Sequence, residues 1–109
     1  MLGLGTWEFF VDTMFYRGRA LLAVADKDGA YDVKLDVPGM DAIPPIVITS
    51  IEAEDNDIFG TARNSLLGDK DVPFRISFGV DEDGAETANG YLKVPFIGKI
   101  TFKNGKKIG

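Results

Sequence analysis

The sequence predicts an all-β fold: an eight-stranded antiparallel up-and-down barrel closed around one core. Three observations carry this. First, apolar and polar residues alternate with a period of two at Tyr31-Val33-Leu35-Val37, at Phe74-Ile76-Phe78-Val80 and at Ile100-Phe102, and successive strand side chains point to opposite faces. Second, Asp-Gly turns at 28–29 and 83–84 lie between such runs, where Gly accepts positive φ and Asp bonds its own backbone. Third, the runs are short and follow one another closely. A meander of this kind leaves exposed edges unless it closes, and eight strands make a barrel just wide enough to be filled or to hold one small ligand.

The first strand is expected over 5–12, with Trp7, Phe9 and Val11 on its inner face and Phe10 outside between Glu8 and Asp12. The second, 17–26, is apolar on both faces: Leu21, Ala23 and Ala25 on one, Leu22 and Val24 on the other. The third, 30–37, faces the core through Tyr31, Val33, Leu35 and Val37. The fourth and fifth, 46–54 and 57–64, meet at the Asn56-Asp57 turn. The sixth, 71–80, is the second clean alternation, with Phe74 to Val80 inward. The seventh and eighth, 86–94 and 98–104, close the meander, and Asn104-Gly105 marks a last turn. The two longest connections run from Pro38 to Pro45 and from Ser65 to Lys70. Their apolar residues Met40, Ile43, Leu66 and Leu67 cap the core or form a lid or subunit contact.

At 109 residues the chain has room for a single domain, and a chain of this size buries roughly two-thirds of its surface without staples. The 13 glycines suit tight turns. A net charge of −5 argues against nucleic acid, which needs a clustered basic surface. The Lys99, Lys103, Lys106 and Lys107 group is better explained as a solvated final strand. With no Cys and no His, disulfides, thiol catalysis and thiolate metal sites drop out, and a reducing compartment, the cytoplasm, is the expectation. No stretch approaches the roughly 20 apolar residues of a membrane span, and Glu8 and Asp12 break the apolar run that a signal peptide needs. No cofactor is expected.

Gly5-Thr6-Trp7 at the head of the first strand resembles the Gly-x-Trp signature that opens lipocalins and other calycins. The whole chain is similar to small bacterial lipocalin-like β-barrel domains, through Asp57-Ile58-Phe59-Gly60-Thr61-Ala62 and the stretch from Gly90 to Ile100. The resemblance implies ligand binding inside the barrel and a Trp packed across its closed end. The chain departs from the pattern in being shorter, in lacking disulfides and in offering Lys rather than Arg near its end.

Candidate ligand-binding residues are Trp7, Phe9, Tyr31, Phe59, Arg63 and Phe78. Trp7 either stacks on a ligand or plugs the barrel floor, the second being the simpler use of its area. Tyr31 lies on a core face, so its hydroxyl must find a partner or reach the mouth. Arg63 shares a face with Phe59 and Thr61. If Phe59 points inward, the Arg63 guanidinium enters the mouth and binds a carboxylate or phenolate; if Ile58 is inward, Arg63 is a surface charge. The Asp-x-Asp-Gly turns lack the spacing and helical flanks of a calcium loop. Glu52 and Glu54 share a face as an acid–base pair could, but two carboxylates at that spacing on a solvated strand usually just solvate it.

The expected function is binding of a small, largely apolar molecule in the barrel cavity. The alternatives are a lyase or isomerase built on such a barrel, using Tyr31, Arg63 or a buried carboxylate, and a packed accessory module without a ligand. Cavity volume and any ionisable group inside it discriminate among the three. The apolar outer residues Phe10, Leu22 and Val24 further predict a homo-oligomer, most simply a dimer through the first two strands.

Overall fold

A computed structural model describes residues 2–12, 17–36, 46–64, 68, 70–95 and 98–109. The described residues form nine strands: β1 (Gly5–Asp12), β2 (Arg17–Lys27), β3 (Ala30–Asp36), β4 (Val47–Glu54), β5 (Asp57–Arg63), β6 (Val72–Val80), β7 (Glu86–Val94), β8 (Gly98–Phe102) and β9 (Lys106–Lys107). Every ladder is antiparallel. Eight of these strands lie where alternation and turn chemistry place them. The ninth carries only two lysines, so it has no apolar phase to read. Val37 and the residues Met40, Ile43, Leu66 and Leu67 lie outside the described set.

The strands form two sheets, with orders β3-β2-β1-β9 and β4-β5-β6-β7-β8. Spatial order follows chain order, as in an up-and-down meander, but no closed barrel forms among the described residues. The ladder is interrupted between β3 and β4 and again between β8 and β9. Across the second break the chain is held differently: Gly105 N–H donates to Ala88 O at 2.9 Å, and Asn104 N–H to the Asn89 Oδ1 at 2.9 Å. Asn104 takes φ 56°, the left-handed conformation that Asn tolerates better than most residues. The expected all-β antiparallel fold is thus present as two sheets, and closure into a barrel is not found among the described residues. Alternation reports which face of a strand is dry, and it is silent on whether edge strands zip together.

One core fills the space between the sheets. From the four-stranded sheet it takes Trp7, Phe9, Val11, Ala20, Leu22, Val24 and Val33; from the other, Ile58, Ala62, Val72, Phe74, Ile76, Phe78, Ala88 and Phe102. Two inner faces that interdigitate in this way exclude water from both at once, which is the main source of stability in such a sheet pair.

Three facial assignments are corrected by this core. Leu22 and Val24 point inward, each only 4% exposed, and the outer face of β2 carries Leu21, Ala23 and Ala25. Register explains it: Trp7 is paired with Leu22 and Phe9 with Ala20, and directly opposed residues share a face. On β5 it is Ile58 and Ala62 that are buried, so Phe59, Thr61 and Arg63 lie on the outer side. Val80, at the end of β6, is 58% exposed rather than inward. The expected dimer surface thus loses two of its three residues, and only Phe10, 65% exposed, remains.

Antiparallel connection puts the β2–β3, β4–β5 and β6–β7 turns at one end of the sheet pair. The connections that follow β1, β3, β5 and β7 leave from the other. The two ends differ in how they are filled.

Candidate functional site

The end carrying the three tight turns is closed by aromatic packing. Trp7 is fully buried, and its ring centroid lies 6.1 Å from that of Phe78, which stacks at 6.2 Å on Tyr31. Residues 2–4 lie over this cluster and are pinned by three hydrogen bonds. Trp7 Nε1–H donates to Gly3 O at 2.8 Å, the Tyr31 hydroxyl to Leu2 O at 2.7 Å, and Gly3 N–H to Glu86 Oε1 at 2.8 Å. Gly3 has φ +86°, and a Cβ there would come within 2.4 Å of the Phe78 ring. Only glycine both adopts that backbone and leaves room for the ring.

Two titrations follow from this packing. Burial raises the Tyr31 hydroxyl pKa above its ordinary value, opposed by the bond to Leu2. The Glu86 carboxylate is held below its usual range, first by the hydrogen bond from Lys107, 2.6 Å away, and then by that from Gly3. Glu86 thereby ties the N-terminal segment to β9. These groups secure the closed end, and their polar atoms are occupied in doing so.

At the opposite end the two inner faces leave a cavity of about 30 Å³. One wall is Phe9, Leu22, Val33 and Leu35. The other is Ile46, Ile48, Ala62, Phe74, Ile76, Leu92 and Phe102, with Gly90 and Tyr91 of β7 completing it. Of these residues only Tyr91 has a polar side-chain atom, and its ring lies on the outer face of β7 under Lys93 and Lys99. Leu35 belongs to β3 and Ile48 to β4, so the cavity lies beside the seam where the ladder is interrupted. The cavity lies where, among the described residues, no ladder joins the two sheets.

The six sequence-derived candidates are therefore divided. Phe9 lines the cavity. Trp7, Tyr31 and Phe78 form the closed end, with Trp7 buried against Phe78 and the Tyr31 hydroxyl turned to Leu2. Phe59 and Arg63 are outside and belong to no interior site. Arg63 pairs with Asp71 at 2.9 Å, and Phe59 lies under the Arg75 guanidinium, whose carbon is 5.1 Å from the ring centroid. Arg75 in turn bonds Asp57 at 2.7–2.8 Å, and that bond raises its pKa further. Sequence reasoning passed over Leu35, Ile46, Ile48 and Leu92 as candidates. The Ile46-x-Ile48 alternation was the available signal, since it puts two large side chains at the start of a strand whose other residues are mostly polar.

Among the described residues, no group of three or more acidic, His or Cys side chains is arranged to hold a metal ion, and no buried side-chain polar atom lacks a partner. No helix of the described residues is long and apolar enough to cross a membrane. In comparison with known proteins, the chain matches no family model, no curated protein and no solved structure.

Proposed function

We propose that the protein binds a small, largely apolar molecule between its sheets, in the cavity beside β3 and β4. The observation that supports this best is the chemistry of the walls: aliphatic and aromatic side chains from both sheets converge there. The groups with shifted titrations, Tyr31, Arg75 and Glu86, stand elsewhere. Apolar walls with few polar groups are the usual make-up of a small-molecule site. In this reading the two sheets are a lipocalin-like meander whose seam at β3 and β4 opens to admit the ligand.

Volume sets the condition. An apolar cavity of about 150 Å³ holds benzene, so a space of about 30 Å³ must widen before even a small ring enters. Parting β3 from β4 separates the lining residue Leu35 from Ile46 and Ile48 and, among the described residues, breaks no ladder pairing, which makes it a low-cost direction of widening. The same small volume favours a second reading, a packed accessory module with no ligand.

Binding of Nile red, a neutral apolar dye, separates the two. The ligand-binding reading expects saturable binding at about one site per chain, abolished by Ala62→Phe, which fills the cavity from the buried floor of β5. Unchanged circular dichroism would show that the variant still folds. Absence of binding by both Nile red and decan-1-ol to the unmodified chain establishes the packed-module reading.

A further inference from the structure

Tyr91 belongs to the cavity wall through its strand, but its ring lies on the outer face of β7, where two lysines approach it. Lys99 Nζ lies 4.5 Å and Lys93 Nζ 5.7 Å from the centroid of the Tyr91 ring. Lys93 and Lys99 are direct cross-strand partners on β7 and β8, and like charges so opposed destabilise a sheet. The four arginines and Lys107 each sit against a carboxylate at 2.6–3.1 Å. Among the described residues Lys93 and Lys99 form no such ion pair, as is also true of Lys27, Lys34, Lys103 and Lys106; what sets the two apart is their direct opposition across the ladder. The aromatic face offsets part of their repulsion, and an anion would offset the rest.

The pair also has a definite position. It precedes the last rung of the β7–β8 ladder, Val94 with Gly98, at the end of the sheet where the cavity lies. Its neighbour on β7, Leu92, faces into that cavity. Leu92 and Lys93 face opposite sides of the sheet, so the apolar wall inside and the lysine pair outside are joined only around the end of the two strands, one rung away at Val94 and Gly98.

We propose that the ligand is an anionic amphiphile: an apolar chain occupying the cavity and an acidic head, carboxylate or phosphate, held by Lys93 and Lys99 at the rim. This rests on the ligand-binding reading above and adds the class of molecule. Arg75, next to Tyr91 across the β6–β7 ladder, is committed to Asp57, so the two lysines carry the recognition.

Isothermal titration with decanoate and decan-1-ol, which share a chain and differ in the head, tests it, using the unmodified protein and the double variant K93Q/K99Q. Exposed ion pairs are individually weak, so decanoate should bind roughly three- to tenfold more tightly than the alcohol at low salt. That preference should fall with added salt and vanish in K93Q/K99Q, with alcohol binding unchanged. Decyl phosphate in place of decanoate distinguishes the two acidic heads. Equal binding of decanoate, decyl phosphate and the alcohol, or a preference that survives in K93Q/K99Q, overturns the inference and leaves the apolar site standing. Failure of all three to bind overturns both.

Discussion

Tyr31 and Glu86 show how single polar groups decide the state of the closed end. The Tyr31 hydroxyl reaches Leu2 O and lies outside the cavity, so Tyr31→Phe should cost about 0.5–1.5 kcal/mol, the usual worth of one such hydrogen bond. Ligand binding should be unchanged. Urea denaturation and a dye titration on the same sample check both halves of that statement. For Glu86 the sign follows from its lowered pKa. A carboxyl group that ionises more easily in the folded chain adds stability above its ordinary pKa, and loses it as pH falls through the lower folded value. Glu86→Gln should therefore be less stable than the unmodified chain near neutrality, the difference shrinking below about pH 4.5. A difference that persists undiminished to pH 2 would mean that the bond to Lys107 is not what holds Gly3 and β9. That the Tyr31 hydroxyl needs a partner was legible in the sequence, but the partners were not, because Leu2, Gly3 and Glu86 are brought to Tyr31 by tertiary packing and no local pattern marks them.

Strand position and strand phase were not equally readable. Boundaries were accurate because Asp-Gly and Asn-Asp turns punctuate the alternation, and β3 and β6, with polar residues on one side only, had an unambiguous dry face over most of their length. β2 had none: Leu21, Ala23 and Ala25 compete with Leu22 and Val24, and both sets are apolar. Its phase is set by pairing with Trp7 and Phe9 on β1, which alternation within one strand does not report. On β5 the choice between Ile58 and Phe59 fell to the smaller side chain, because Ile58 with Ala62 fits between the sheets while Phe59 finds a cation outside. The phase of β2 has a direct test. Leu22→Ser should cost roughly 3–5 kcal/mol in chemical denaturation, from a vacated core position and a hydroxyl set among apolar groups. Phe10→Ser, at a largely exposed site, should stay within about 0.5 kcal/mol. Comparable losses from both would restore the outward assignment of Leu22, and with it the argument for a dimer through β1 and β2.

For the whole molecule, the account rests on an asymmetry between two ends of one core. At one end Trp7, Phe78 and Tyr31 pack against residues 2–4, and the polar groups there are hydrogen-bonded. At the other, the same two sheets leave an apolar space beside an interrupted seam. The sequence was legible as a meander around a single core, whereas the interruption between β3 and β4 was not, because edge pairing depends on how far two sheets twist apart rather than on the residues of either strand. A ligand that enters through that seam must touch some methyl groups and spare others. Methyl-resolved NMR during a titration with decan-1-ol measures this most directly. Saturable shifts confined to the lining methyls, Leu22, Val33, Leu35, Ile46, Ile48, Ala62, Ile76 and Leu92, with Leu4 and Val24 unmoved, are the predicted result; shifts centred on Leu4 and Val24, or no saturable shift at all, would contradict it.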